Sequence, residues 1–138
     1  MYDERGRLID WFECHNFLTE LGEAHLAEML STGESITHMA IGDGSGRDRT
    51  ATTLDSEITR RALNSTTQGT AGDDNDITFS CTFPTGDPAT LDYTFTEAAL
   101  FNDPSAGTMI NYVDLSPGRF KATTMTWTLD FIWTIGAS

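Results

Sequence analysis

The feature that most limits how this chain can fold lies near its end. Met125, Trp127, Leu129, Phe131, Trp133 and Ile135 occupy successive alternate positions, opposed mainly by Thr124, Thr126, Thr128, Asp130 and Thr134. Neighbouring side chains point to opposite faces in an extended strand, so this period of two writes a β-strand with one apolar and one polar face. Each buried tryptophan or phenylalanine removes roughly 150–250 Å² from water. At about 25 cal/mol per Å², the two tryptophans and the phenylalanine give on the order of 10–20 kcal/mol of gross driving force. The segment is expected to be core, or core plus interface, with both tryptophans buried.

The same alternation recurs upstream. Ile77, Phe79, Cys81 and Phe83 share one face, with Thr78, Ser80 and Thr82 on the other, and Leu91, Tyr93 and Phe95 repeat the pattern after the loop at 85–88. Asn102, Asp103, Pro104, Ser105 and Gly107 are turn formers leading into a strand over 109–115, and Pro117-Gly118 reads as the next turn. Residues 16–32 instead follow the helical period. Asn16 is the expected N-cap, Gly33 the stop, and Leu18, Leu21, His25 and Met29 the buried face. His25 there reads as a packed or hydrogen-bonded histidine rather than a ligand.

Residues 35–41 read as a short strand running into the glycine loop 42–46. Residues 52–63 stay ambiguous, since Leu54, Ile58 and Ala62 suit a short helix and the β-branched residues suit an extended stretch. Residues 64–76 are almost wholly polar and are expected to form a long exposed loop. The expected fold is mainly β: an antiparallel β-sandwich with one N-terminal α-helix, formed by residues 16–138 as a single domain. Residues 1–15 form an N-terminal arm carrying Leu8, Ile9, Trp11 and Phe12. Those four either fold back on the domain's own core or dock into a neighbouring subunit, because exposed together they make an apolar patch that soluble chains avoid.

Charge narrows the function classes. The chain of 138 residues carries 21 carboxylates against eight basic residues, for a net charge of −13, and its single lysine is Lys121. Nucleic acid and anionic membranes are bound through Lys and Arg, so neither is an expected partner. The acidity is either ordinary solubility or adaptation to high salt, where a Debye length of about 3 Å at 1 M screens the repulsion. No run approaches the roughly 18 apolar residues of a membrane span. The acidic opening Met1-Tyr2-Asp3-Glu4 is unlike a secretory signal, and the chain is expected to be made and assembled in the cytosol. Cys14 and Cys81 have no metal-site spacing and are expected to be free thiols, with pairing left to the fold.

Catalytic signatures are missing. There is no HExxH, GxSxG or Walker loop, and the run Gly42-Asp43-Gly44-Ser45-Gly46 lacks both the GK[ST] ending and the GxGxxG spacing of phosphate loops. It reads as a turn. Asp73, Asp74, Asn75 and Asp76 offer hard oxygens for a cation but not in EF-hand order, and they read as a solvated loop. Neither an enzyme nor a cofactor is expected.

Two blocks carry a family resemblance. The first runs from His25 to Gly46 and is followed by residues 54–63; Ile36, Met39, Ala40, Gly42, Asp43, Gly44, Leu54, Glu57 and Arg60 carry it. The second is residues 96–117, through Glu97, Leu100, Phe101, Asn102 and Gly107, with Ala99 where the pattern has glycine. In order and combination they resemble the N-terminal domain of phage tail-fibre and tail-collar proteins, and the closing strand is similar to that of small virion proteins of this type. The resemblance implies an antiparallel β-domain that docks onto a virus particle, with no catalytic residues to transfer.

The expected function is a structural virion protein of a tailed virus, a tail or baseplate connector or a fibre-attachment subunit. A capsid decoration or turret protein and a carbohydrate-binding module are the alternatives. With no shaft after the last strand, the chain is expected to be the docking module alone. Its expected partners are other virion proteins and itself, as a homo-oligomer with a trimer favoured. Glu97 interrupts an alternating strand and is expected to be partly buried, with Arg60 as its charged or hydrogen-bonding partner.

Overall fold

A computed structural model describes residues 16–32, 35–70, 75–89 and 91–134. Eight strands and one helix follow in the order β1 (Asn16–Leu18), α1 (Glu20–Thr32), β2 (His38–Gly42), β3 (Glu57–Ala62), β4 (Ser65–Gln68), β5 (Asp76–Phe83), β6 (Tyr93–Phe101), β7 (Met109–Lys121) and β8 (Trp127–Thr134). Every ladder is antiparallel. The strands form a five-stranded sheet in the order β1-β7-β6-β2-β3 and a three-stranded sheet in the order β4-β5-β8. The main core lies between them, where Phe79, Cys81, Phe83 and Phe131 meet Met39, Ile41, Phe95, Leu100 and Ile110. This is the expected antiparallel β-sandwich with a helix at its N-terminal end. The arm carrying Leu8, Ile9, Trp11 and Phe12, together with Cys14, Asp73, Asp74 and Ile135, lies outside the described residues.

The helix begins later than its sequence pattern suggests. Residues 16–18 instead form β1, pairing Asn16 with Val113 and Leu18 with Asn111 on the edge of β7. Thr19 is the cap: its Oγ1 accepts a hydrogen bond from the Gly22 N–H at 2.9 Å, which satisfies one of the orphan donors of the first turn. Glu20 and Glu23 then sit at the positive end of the helix dipole. The buried face is accordingly rotated. Leu21 is 49% exposed, whereas Gly22 and His25 are buried and Met29 packs against the core. His25 is therefore the packed histidine it was expected to be.

One segment that the sequence left open is decided, and two others differ from their sequence pattern. Residues 57–62 are extended, because β2 has a free edge that they complete. Residues 65–68 are not loop but β4, with Ser65 opposite Ser80 and Gln68 opposite Ile77. All four β4 side chains are exposed, so this strand is held by its ladder and leaves no apolar alternation to read. Pro117-Gly118 does not end a strand: β7 runs through it, and the pairing with β6 jumps from Glu97↔Asp114 to Phe95↔Arg119. Proline has no N–H to give a ladder, so it is accommodated where a bulge removes the need for one.

β8 has the expected alternation, with Trp127, Leu129, Phe131 and Trp133 opposite Phe83, Cys81, Phe79 and Ile77. The rings find edge-on partners: Phe79 and Trp133 at 4.8 Å between centroids, Phe95 and Trp127 at 5.5 Å. Only Phe131 is fully buried, however, and both tryptophans are half-buried. β8 lies at the rim of its sheet and has a strand on one side only, which lowers the driving force expected from its sequence.

Candidate functional site

The residues of the two sequence blocks converge on three adjacent strands. β2 runs between β3 and β6, so Gly42 faces Glu57 on one side and Glu97 on the other. Ala40 likewise lies between Arg60 and Ala99, and His38 beside Phe101. Met39 pairs with Leu100, and both are fully buried on the sandwich side of the sheet. Glu97, Ala99 and Phe101 point to the opposite face, where Leu54 and Tyr112 complete a second buried cluster.

Glu97 is fully buried and acts as a clasp. Its Oε1 accepts hydrogen bonds from the Asp55 N–H at 2.9 Å and the Tyr112 hydroxyl at 3.1 Å. Its Oε2 accepts from the Ser56 N–H at 2.7 Å and the Gly44 N–H at 3.1 Å. One carboxylate thus ties both ends of the 43–56 loop to the sheet. The loop closes so tightly that side chains are excluded: a Cβ on Gly42 would lie 2.3 Å from the Ser56 carbonyl oxygen, and one on Gly44 would lie 2.6 Å from Asp55. This is why the motif needs its glycines, and the reason is close approach. Asp43 between them is exposed and contributes its N–H to Ser56 O at 3.0 Å. An anion has no place in this loop, since its Gly44 donor is occupied and a carboxylate sits at its centre.

Tyr112 is the member of the site that sequence reasoning missed. Its hydroxyl lies 3.1 Å from Glu97 and 2.8 Å from Asp114 Oδ1, so one proton serves two carboxylates. Burial holds the phenol protonated well above its ordinary range, helped by the hydrogen bond to Asp114 and by the Glu97 charge. Gly46 N–H reaches the same Asp114 oxygen at 3.4 Å, extending the clasp to the far side of the glycine run. The signal available was Tyr112 and Asp114 alternating on one strand face.

Arg60 does not pair with Glu97, contrary to expectation. Its guanidinium takes Glu57, with Nη2 to Oε1 at 2.6 Å and Nε to Oε2 at 3.2 Å. Its Cζ lies 3.6 Å over the Phe101 ring, and Nη1 donates to the carbonyls of Asp103 at 3.0 Å and Ala106 at 2.8 Å. The reason is that backbone N–H groups already satisfy Glu97, while the small Ala40 and Ala99 leave Arg60 a path toward the 102–107 loop. There Asp103 Oδ1 accepts from the Ser105 and Ala106 N–H groups, which lowers its carboxyl below the ordinary range. Asn102 Oδ1 accepts from Thr108 N–H at 2.7 Å, and Gly107 takes a left-handed φ of 76°. A shallow groove bordered by Ser35, Thr37, Asn102, Asp103 and Gly107 opens beside this loop. Both of its acidic or amide side chains are committed to the turn.

A third anchor uses the one lysine. Lys121 is fully buried and its Nζ donates to Pro84 O at 3.0 Å and Met125 O at 2.9 Å, fastening two loops together. Burial lowers its ammonium below the ordinary lysine range, offset in part by Asp87. Asp87 itself is held by Thr59 at 2.6 Å and Arg61 at 2.8 Å. Among the described residues, no group of three or more His, Cys, Asp or Glu side chains is placed to hold a metal ion, and no helix is long and apolar enough to cross a membrane. Among the described residues, the large apolar side chains left exposed are Leu21, Leu91, Phe120 and Ile132.

A family model described as phage tail-collar fibre protein, N-terminal, matches residues 13–119. The match takes in both blocks on which the sequence resemblance rests, including all the clasp residues. No curated protein matches the chain.

Proposed function

The chain belongs to the phage tail-collar fibre protein N-terminal family, and on that premise we propose that it is a structural component of a tailed virus particle that acts by protein–protein docking. Within the tail, the reading is a connector or fibre-attachment subunit at the tail or baseplate, assembled with itself and with other virion proteins. Catalysis has no part in it. The observation that carries this reading is the state of Glu97. The motif's one fully buried acid has both oxygens engaged by four donors of its own domain, and Arg60 is likewise engaged on every side. The charged motif residues thus shape loops, and contact with partners falls to the outer surface that those loops define.

Glycan binding is disfavoured by the aromatic residues, since Trp127 and Trp133 pack edge-on against Phe95 and Phe79 instead of standing on loops as open platforms. The test is the position and copy number of the protein in purified particles, by quantitative mass spectrometry of whole virions and of detached tails. Few copies per particle, retained in the tail fraction, are the expected result. Copies in proportion to the capsid subunit, retained in tail-free heads, would replace the reading with a head decoration protein.

A further inference from the structure

Among the described residues, four strands lie at sheet edges: β1 and β3 in the larger sheet, β4 and β8 in the smaller. An edge strand presents unpaired N–H and C=O groups to any approaching strand, and soluble proteins blunt it by shortness, charge or a bulge. Three of these edges are blunted. β1 has three residues and β4 has four. β3 carries Glu57, Arg60 and Arg61, and its pairing with β2 shifts register at Gly42. β8 has no such device. It pairs with β5 over eight consecutive positions without a register shift, and Asp130 is its single charged side chain. Ile132 on its outer face is 54% exposed, and the buried Trp133 Nε1 has no acceptor among the described residues.

We propose that β8 is the contact through which two copies of this chain pair, antiparallel about a two-fold axis, joining their three-stranded sheets into one continuous sheet. A chain at net −13 repels its own kind over most of its surface, so a second copy approaches where charge is sparse. The strand is also complementary to itself. Centred on Phe131, the pairing sets Leu129 across from the partner's Trp133, Thr128 across from the partner's Thr134 and Asp130 across from the partner's Ile132. Centring it on Asp130 instead would oppose two carboxylates directly. The contact adds one named partner to the docking reading, and its test uses purified protein, so neither result bears on where the protein sits in the particle.

Sedimentation of the full chain over micromolar concentrations, at 0.15 M and 1 M NaCl, is the experiment, with Ile132→Glu and Ile132→Lys beside the unaltered protein. Glutamate faces Asp130 twice per pair and is expected to raise the dissociation constant about tenfold or more. Lysine at the same place meets an opposite charge twice and is expected to pair at least as tightly as isoleucine. The side chain is exposed, so circular dichroism and melting temperature should show both variants folded. If another contact builds a larger assembly, the glutamate variant halves its mass. A chain that sediments as a monomer throughout, or two variants that behave alike, would overturn the proposal.

Discussion

Replacing Glu97 by glutamine tests the clasp with almost no change in volume. The carboxylate accepts on both oxygens, from Gly44 and Ser56 on one side and from Asp55 and Tyr112 on the other. An amide can keep only one of these sides. Its oxygen is expected to take the Gly44 and Ser56 side, which has two fixed N–H donors. Its NH₂ group then faces the Tyr112 oxygen, which can rotate its proton toward Asp114 and accept, and the Asp55 N–H, which cannot adapt.

Two charge-assisted bonds become neutral ones, at about 0.5–1 kcal/mol each, and one part-buried N–H loses its acceptor, at about 1–2 kcal/mol. The sum is about 3 kcal/mol. For a domain of this length each kcal/mol shifts Tm by roughly 3–4 °C, so a fall of about 10 °C is expected. Thermal denaturation measures the total, and hydrogen exchange at Gly44, Asp55 and Ser56 locates it. A Tm within about 2 °C of the unaltered protein, with those three amides still protected, would refute the reasoning.

Arg60→Lys keeps the charge but loses the planar group that spans Glu57, the Phe101 face and two loop carbonyls, and is expected to cost about 2 kcal/mol in urea denaturation. Gly22→Ala would place a Cβ 2.0 Å from the Ile110 carbonyl oxygen, so a cost of about 1–3 kcal/mol is expected despite the better helix propensity of alanine. Burial pushes the Cys81 thiol from 9.0 up to about 11, so between those values the unfolded chain binds fewer protons than the folded one. Stability from this group is full below about pH 9 and is lost as pH rises toward 11; a Cys81→Ala variant should show a shallower alkaline decline in Tm. Screening of the −13 charge should raise Tm between low salt and about 1 M NaCl, and an unchanged Tm would count against the high-salt reading of its acidity.

The three anchors stand at different depths of legibility. A period-two apolar pattern needs only the local chain, so β5, β6 and β8 were readable, and the glycines of the 42–46 loop announced a tight turn. The partner of a buried carboxylate is another matter. Glu97 was readable as only partly buried from its place in an alternating strand, whereas it is fully buried, and Arg60 was the wrong partner, since any donor within reach can serve. Those that do serve are three backbone N–H groups, which every residue owns and no sequence marks. β4 escaped notice for a related reason: ladder hydrogen bonds stabilise it without help from its exposed side chains.

The sequence by itself determined that this chain forms an antiparallel β-domain, because side-chain alternation is a local property of the chain; the likeness to the tail-collar fibre family came separately, from its two motif blocks. Only the tertiary structure decided which strand stands at an edge. That depends on how many neighbours each ladder finds, and it left β8, the strand with the clearest apolar alternation, half-covered at the rim of its sheet.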